Sequence, residues 1–153
     1  MKADVRRSVQ ALHEHDIRPV SFASPYGEFN GEVIKEAEIH FESHRKAWGV
    51  PDDGLNDLTR MDRYAISPFS LTNTTTFEEV KKLIDRAKSE GKWLVFLAHG
   101  VVQGKPEPFQ IHIDTFRKIV QYVARNEGNV LTVKEVVGNM VKQGIRNGVS
   151  VKQ

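Results

Sequence analysis

Cysteine is absent from all 153 positions. That excludes disulfides, thiolate nucleophiles and cysteine-type zinc sites, and it leaves the redox compartment open. Long apolar runs are missing too. No segment approaches the roughly 20 apolar residues of a membrane span, and the opening MKADVRRSVQALHEHD lacks the continuous apolar centre of a signal peptide. Charge of one sign is scarce: 22 Lys and Arg against 20 Asp and Glu give a net charge of +2. The basic residues are dispersed over helix faces, a pattern of solvated surface that offers nucleic acid no footing. Repeats and low-complexity linkers are absent as well.

What is present is ordinary globular material. Hydrophobic residues make up 39% and charged residues 27% of the chain, enough for one domain, residues 1–153, to bury a core without staples. Val5, Val9 and Leu12 mark one face of an opening helix. Pro19 to Phe22 reads as a short strand. Val33, Ile34, Ala37 and Phe41 recur at helical spacing, predicting a helix over Gly31 to Glu42 with Asn30 as its cap. His44 to Trp48 and Tyr64 to Ile66 read as brief strands, separated by the polar turn-rich PDDGLNDLTRMD.

Thr76 and Glu79 have the spacing of a capping box, and Phe77, Val80, Leu83, Ile84 and Ala87 supply the apolar face of the helix that follows, up to Gly91. WLVFLA, Trp93 to Ala98, is the strongest strand signal. It is apolar throughout, as a strand covered on both faces must be. Phe116, Ile119, Val120 and Val123 predict a helix ending at Gly128. A short strand at Val130–Leu131 follows, then a last helix capped by Thr132 and Glu135. Strands separated by helices imply a mainly parallel α/β arrangement. A closed eight-stranded barrel takes about 250 residues, so the expectation is a small open β/α layer or part of a barrel.

In such a layer, reactive groups collect where loops leave the carboxyl ends of the strands. His99 directly follows WLVFLA, and Pro25, Tyr26 and Gly27 follow the first strand. A strand-end histidine can shuttle protons near neutral pH. A proline-fixed turn can aim the Tyr26 backbone N–H at a developing oxyanion. Each also has a plain structural reading, as a hydrogen-bonded histidine and a simple turn. His40 and His44, four apart, would share a helix face and could hold a metal, but they straddle the expected helix end and no third ligand is evident. Asp52-Asp53-Gly54 sits in a polar loop and reads as a turn. Trp48 and Phe69 could stack on a sugar, with core or rim packing the commoner role.

RPVSFASPYGEFN, RKAWGVPDDGLN and GKWLVFLAHGVV, in this order and at these separations, resemble the C-terminal part of the polysaccharide deacetylase (NodB-homology, carbohydrate esterase family 4) domain. The likeness runs from about Val5 to Met140. It implies a parallel β/α layer equivalent to the C-terminal part of a distorted (β/α)7 barrel, and metal-dependent removal of acetyl groups from N-acetyl sugars. By position, Ala23-Ser24-Pro25-Tyr26 matches the motif whose tyrosine N–H faces the oxyanion. Leu97-Ala98-His99 matches the motif whose histidine protonates the leaving amine. The resemblance thus makes His99 and Tyr26 catalytic, with Pro25, Tyr26, Trp48 and Leu97 against substrate.

The chain also departs from the family. Thr-Phe-Asp-Asp-Gly, which supplies the base and one metal ligand, and the His-x-x-x-His motif are not found ahead of the Pro-Tyr-Gly motif. Ala23 stands where the motif has arginine, and no aspartate ends the Tyr64–Ile66 strand. The expectation is therefore a partial deacetylase barrel that binds no metal by itself, although the family uses zinc. Its partner would be an acetylated sugar polymer or oligomer, with a second copy or a complementary N-terminal half also implied. The rival expectations are a non-catalytic glycan-binding or oligomerising remnant, and an unrelated small α/β domain with a structural His99. Family members are often exported, and nothing in this sequence marks a compartment.

Overall fold

The computed structural model describes residues 2–47, 53–126, 129–143, 145–146 and 149–150. Trp48, Asp52 and the helix end expected at Gly128 lie outside them. The chain is a mixture of helix and short strand, 46% and 16%. It divides into two compact units: Met1–Ala47, Leu58–Ile66 and Leu131–Gln153 form one, and Trp48–Asp57 with Ser67–Val130 form the other.

The first unit opens with α1 (Lys2–His13), followed by β1 (Ser21–Ala23), α2 (Gly31–His40) and β2 (Ser43–Arg45). Asn30 caps α2 as its position predicts, its side-chain oxygen accepting from the N–H groups of Glu32 and Val33. β1 and β2 are parallel, with Phe22 opposite His44, and Arg45 makes an isolated parallel bridge to Ile66. The stretch expected as a strand at Tyr64–Ile66 contributes only that bridge. Val5 and Val9 of α1 pack on Ala37 and Phe41, and Phe22 stacks on Phe41 at 5.2 Å. α5 (Val133–Lys142) carries the full Thr132–Glu135 capping box and buries Val136, Val137 and Met140. β9 (Ile145–Arg146) and β10 (Val149–Ser150), an antiparallel pair, complete the unit.

The second unit contains β3 (Leu55–Asn56), β4 (Phe69–Ser70), α3 (Phe77–Glu90), β5 (Trp93–Leu94), β6 (Phe96–Leu97), β7 (Gly100–Val102), β8 (Gln110–His112) and α4 (Ile113–Arg125). β3 and β5 are antiparallel, whereas β4–β6 and β7–β8 are parallel. Val80 of α3 and Ile119 of α4 meet Leu71 and Ile111 in its core, joined by Phe69, Phe77 and Phe96. Phe69 therefore packs in the core.

Two further strand expectations are corrected. WLVFLA is not one strand: Val95 divides it, donating to Gly54 O at 3.0 Å while its own carbonyl accepts from Phe69 N at 2.8 Å. The backbone thus changes partner in mid-run. Val130 and Leu131 form no strand; Val130 is 77% exposed, and two apolar residues beside an open surface have no ladder to join.

Candidate functional site

The turn after β1 is built from the inside outward. Phe22 faces the core, and Ser24, two residues on, is also buried. Its hydroxyl lies 2.9 Å from Nε2 of His44, a ring with no solvent exposure, and the other ring nitrogen, Nδ1, lies 2.9 Å from the carbonyl oxygen of Tyr64. A carbonyl only accepts, so Nδ1 carries the proton and Nε2 accepts from Ser24. Burial holds His44 below the ordinary histidine pKa, which keeps this neutral tautomer in place.

Pro25, Tyr26 and Gly27 then form a single 3-10 turn on that anchor. Tyr26 has φ 54° and ψ 11°, the left-handed region, in a residue that carries a Cβ. Such backbone costs of order 1 kcal/mol and persists only where the surroundings enforce it. Here Pro25 fixes the preceding φ, and two hydrogen bonds, Gly27 N to Ser24 O and Glu28 N to Pro25 O, close the turn. Neither uses the Tyr26 N–H, which meets no acceptor among the described residues. The Tyr26 ring is 90% exposed.

In the other unit, His99 leaves the carboxyl end of β6 with Leu97, partly buried, two residues before it. Its imidazole is exposed and has no hydrogen-bond partner among the described residues. The Phe109 ring packs against it edge to face, with centroids 5.6 Å apart. The parallel register explains this contact: Gly100 pairs with Gln110, so the preceding residues, His99 and Phe109, fall side by side.

Of the residues the sequence singles out, Pro25 and Tyr26 thus share one turn in the first unit, and Leu97 and His99 share one strand end in the second. His40 and His44 are separated in role. His40 Nε2 lies 3.1 Å from Glu36 Oε1, a carboxylate only 3% exposed that Arg6 also binds at 2.5 and 2.8 Å, whereas His44 belongs to the buried strand β2. Asp53 makes a turn, accepting from Leu55 N at 3.1 Å, with Gly54 at φ 67°.

Among the described residues no three His, Asp or Glu groups come together to hold a metal. No helix among them is long and apolar enough to cross a membrane. Phe109 carries no signal in the sequence, and Ser24 stands there only as a member of the Ala23-Ser24-Pro25-Tyr26 motif. The sequence offers His44 both as the start of a short strand, which β2 contains, and as a possible metal ligand with His40, and neither reading points to its bond with Ser24. No family model, curated protein or solved structure matches the chain.

Proposed function

We propose that this chain supplies the proton donor and the oxyanion donor of a carbohydrate deacetylase that hydrolyses the acetamide of an N-acetyl sugar. In this reading, His99 has the role of protonating a departing amine as its C–N bond breaks, and the Tyr26 N–H, in the other unit, has the role of receiving an oxyanion formed when water adds to an acetyl carbonyl. The single observation that carries the reading is the Tyr26 backbone. A non-glycine residue is held left-handed on a buried Ser24–His44 anchor, with its N–H left without an acceptor among the described residues. Strain of this kind collects where a group is held in place for function. His99, an exposed imidazole unbonded among the described residues at a strand end, supports the second role. The base, the metal and water activation are not assigned to these residues.

The test is acetate release from N-acetylated chitooligosaccharides. The chain is mixed with zinc and a polypeptide carrying the Asp-Asp and His-x-x-x-His motifs. Release is expected in the mixture, with His99→Ala lowering it at least about 100-fold, the usual span of a general acid. Full activity in His99→Ala would refute the assignment. A second reading, a non-catalytic glycan-binding module, draws on the lack of a metal-ligand cluster among the described residues. It predicts oligosaccharide binding that neither zinc nor His99→Ala changes.

A further inference from the structure

Within the second unit, several exposed groups emerge on one sheet edge. β4 and β6 are paired in parallel, Ser70 opposite Leu97, so the segments leaving both strands run out on the same side. After β6 comes His99. After β4 comes Leu71-Thr72-Asn73-Thr74-Thr75, tied to β6 by Leu71 N donating to Leu97 O at 2.8 Å. Threonine hydroxyls stiffen that loop: Thr72 N donates to Thr75 Oγ1 at 2.9 Å, and Thr72 Oγ1 lies 3.0 Å from Thr74 Oγ1. Asn73 N donates to the carbonyl of Pro108 at 3.4 Å, which joins the loop to the residue just before Phe109.

Phe109 is 60% exposed, and the turn leading into it is fixed twice by Gln110: Gln110 N donates to Glu107 O, and Glu107 N donates to Gln110 Oε1, both at 2.9 Å. The strand then turns inward, for Ile111 is in the core. A single exposed phenylalanine needs no explanation. This one stands against an unbonded imidazole, and the residue before it accepts from the backbone of Asn73, an exposed asparagine whose side-chain amide has no partner among the described residues.

We infer that Phe109, Asn73 and His99 form a saccharide subsite that takes one N-acetylated pyranose ring. The aliphatic face of the sugar lies on the Phe109 ring, and the Asn73 amide, a donor and an acceptor together, bonds a ring hydroxyl or the acetamide. The inference rests on the deacetylase reading for its sugar class, and it adds the residues that would hold the ring beside His99.

The experiment is an NMR titration of the full chain with tri-N-acetylchitotriose and, separately, with the unacetylated trisaccharide. The acetylated sugar is expected to shift the signals of Asn73, His99 and Phe109. Phe109→Ala is expected to weaken its binding about tenfold, the worth of one aromatic contact, and Phe109→Trp to retain it. Because Phe109 is mostly exposed, a retained wild-type amide spectrum in Phe109→Ala separates lost binding from lost fold. Undiminished binding in Phe109→Ala, equal binding of the two sugars, or no shift at these residues would overturn the subsite. The two proposals fail separately. Phe109-dependent binding without acetate release in the reconstituted mixture removes the deacetylase and leaves a glycan-binding site. His99-dependent release with KM unchanged in Phe109→Ala removes the subsite and leaves the deacetylase.

Discussion

His44 carries more of the first unit than its single ring suggests. Both nitrogens are spent, one donating to Tyr64 O and the other accepting from Ser24, and the ring sits 5.6 Å from Phe22 and 4.9 Å from Phe29. Replacing it by alanine leaves a cavity and two buried polar groups without partners. His44→Ala is therefore expected to cost about 3 kcal/mol, read by urea denaturation. Ser24→Ala removes only one partner and is expected to cost about 1–2 kcal/mol, with the amide signals of Tyr26 and Gly27 broadening as the turn loses its anchor. A Ser24→Ala chain as stable as the parent would show that the anchor is idle. None of this was legible in the sequence. A serine before Pro-Tyr-Gly reads as turn chemistry, and its bond to a histidine 20 residues away exists only because β1 and β2 pair in parallel. The places of Tyr26 and His99 just after strands were legible, because a strand signal followed by proline or histidine already fixes the position.

At the scale of elements, helices declared themselves sharply, whereas strand signals such as Pro19–Phe22 and His44–Trp48 overlapped β1 and β2 without fixing their bounds. Asn30, Thr76 and Thr132 cap α2, α3 and α5 where their spacing predicts, and Gly91 ends α3 at φ 62°. The strands, by contrast, are two or three residues long, too short for an alternating pattern to register. A side chain reinforces the backbone pairing of β3 with β5. The buried Asn56 donates through Nδ2 to the carbonyls of Gly54, Ser67 and Trp93 at 2.9, 2.9 and 3.2 Å, while its Oδ1 accepts from Ser67 N at 2.9 Å. Asn56→Leu would remove its bonds to both the N–H and the carbonyl of Ser67, while Gly54 O keeps Val95 N as a donor, and a loss of about 2–4 kcal/mol is expected from the orphaned groups. Gly54 makes a second test. Its φ is 67°, and a Cβ there would meet Phe69 N at 2.5 Å and Val95 O at 2.8 Å, all backbone that cannot swing aside. Gly54→Ala should cost more than about 2 kcal/mol, measurable as a lowered Tm. An unchanged Tm would mean that Gly54, Phe69 and Val95 do not approach as described.

For the whole molecule, two groups of the first unit set a dependence on acid. The Arg6 guanidinium holds Glu36 down to about 2, against 4.5 for an ordinary glutamate, so its stabilisation is complete above 4.5 and disappears as pH falls toward 2. His44 is also depressed, by burial. Below about 6.5, the ordinary histidine value, the unfolded chain takes up a proton that the folded chain refuses. Both effects have the same sign: stability falls with pH, first below about 6.5 through His44, then below 4.5 through Glu36. Thermal melts at intervals between pH 8 and 3 should show the two declines, and His44→Phe should lack the first. A Tm that rises on acidification would contradict the assignment of His44 as a neutral, doubly bonded ring.

The proton donor is the claim on which the functional account turns, and the rate of acetate release with and without its imidazole tests it most directly. The chain, reconstituted with zinc and the complementary polypeptide, is compared with its His99→Gln variant on tri-N-acetylchitotriose. The account predicts that His99→Gln lowers the rate at least about 100-fold. A variant that releases acetate at the parental rate would contradict it.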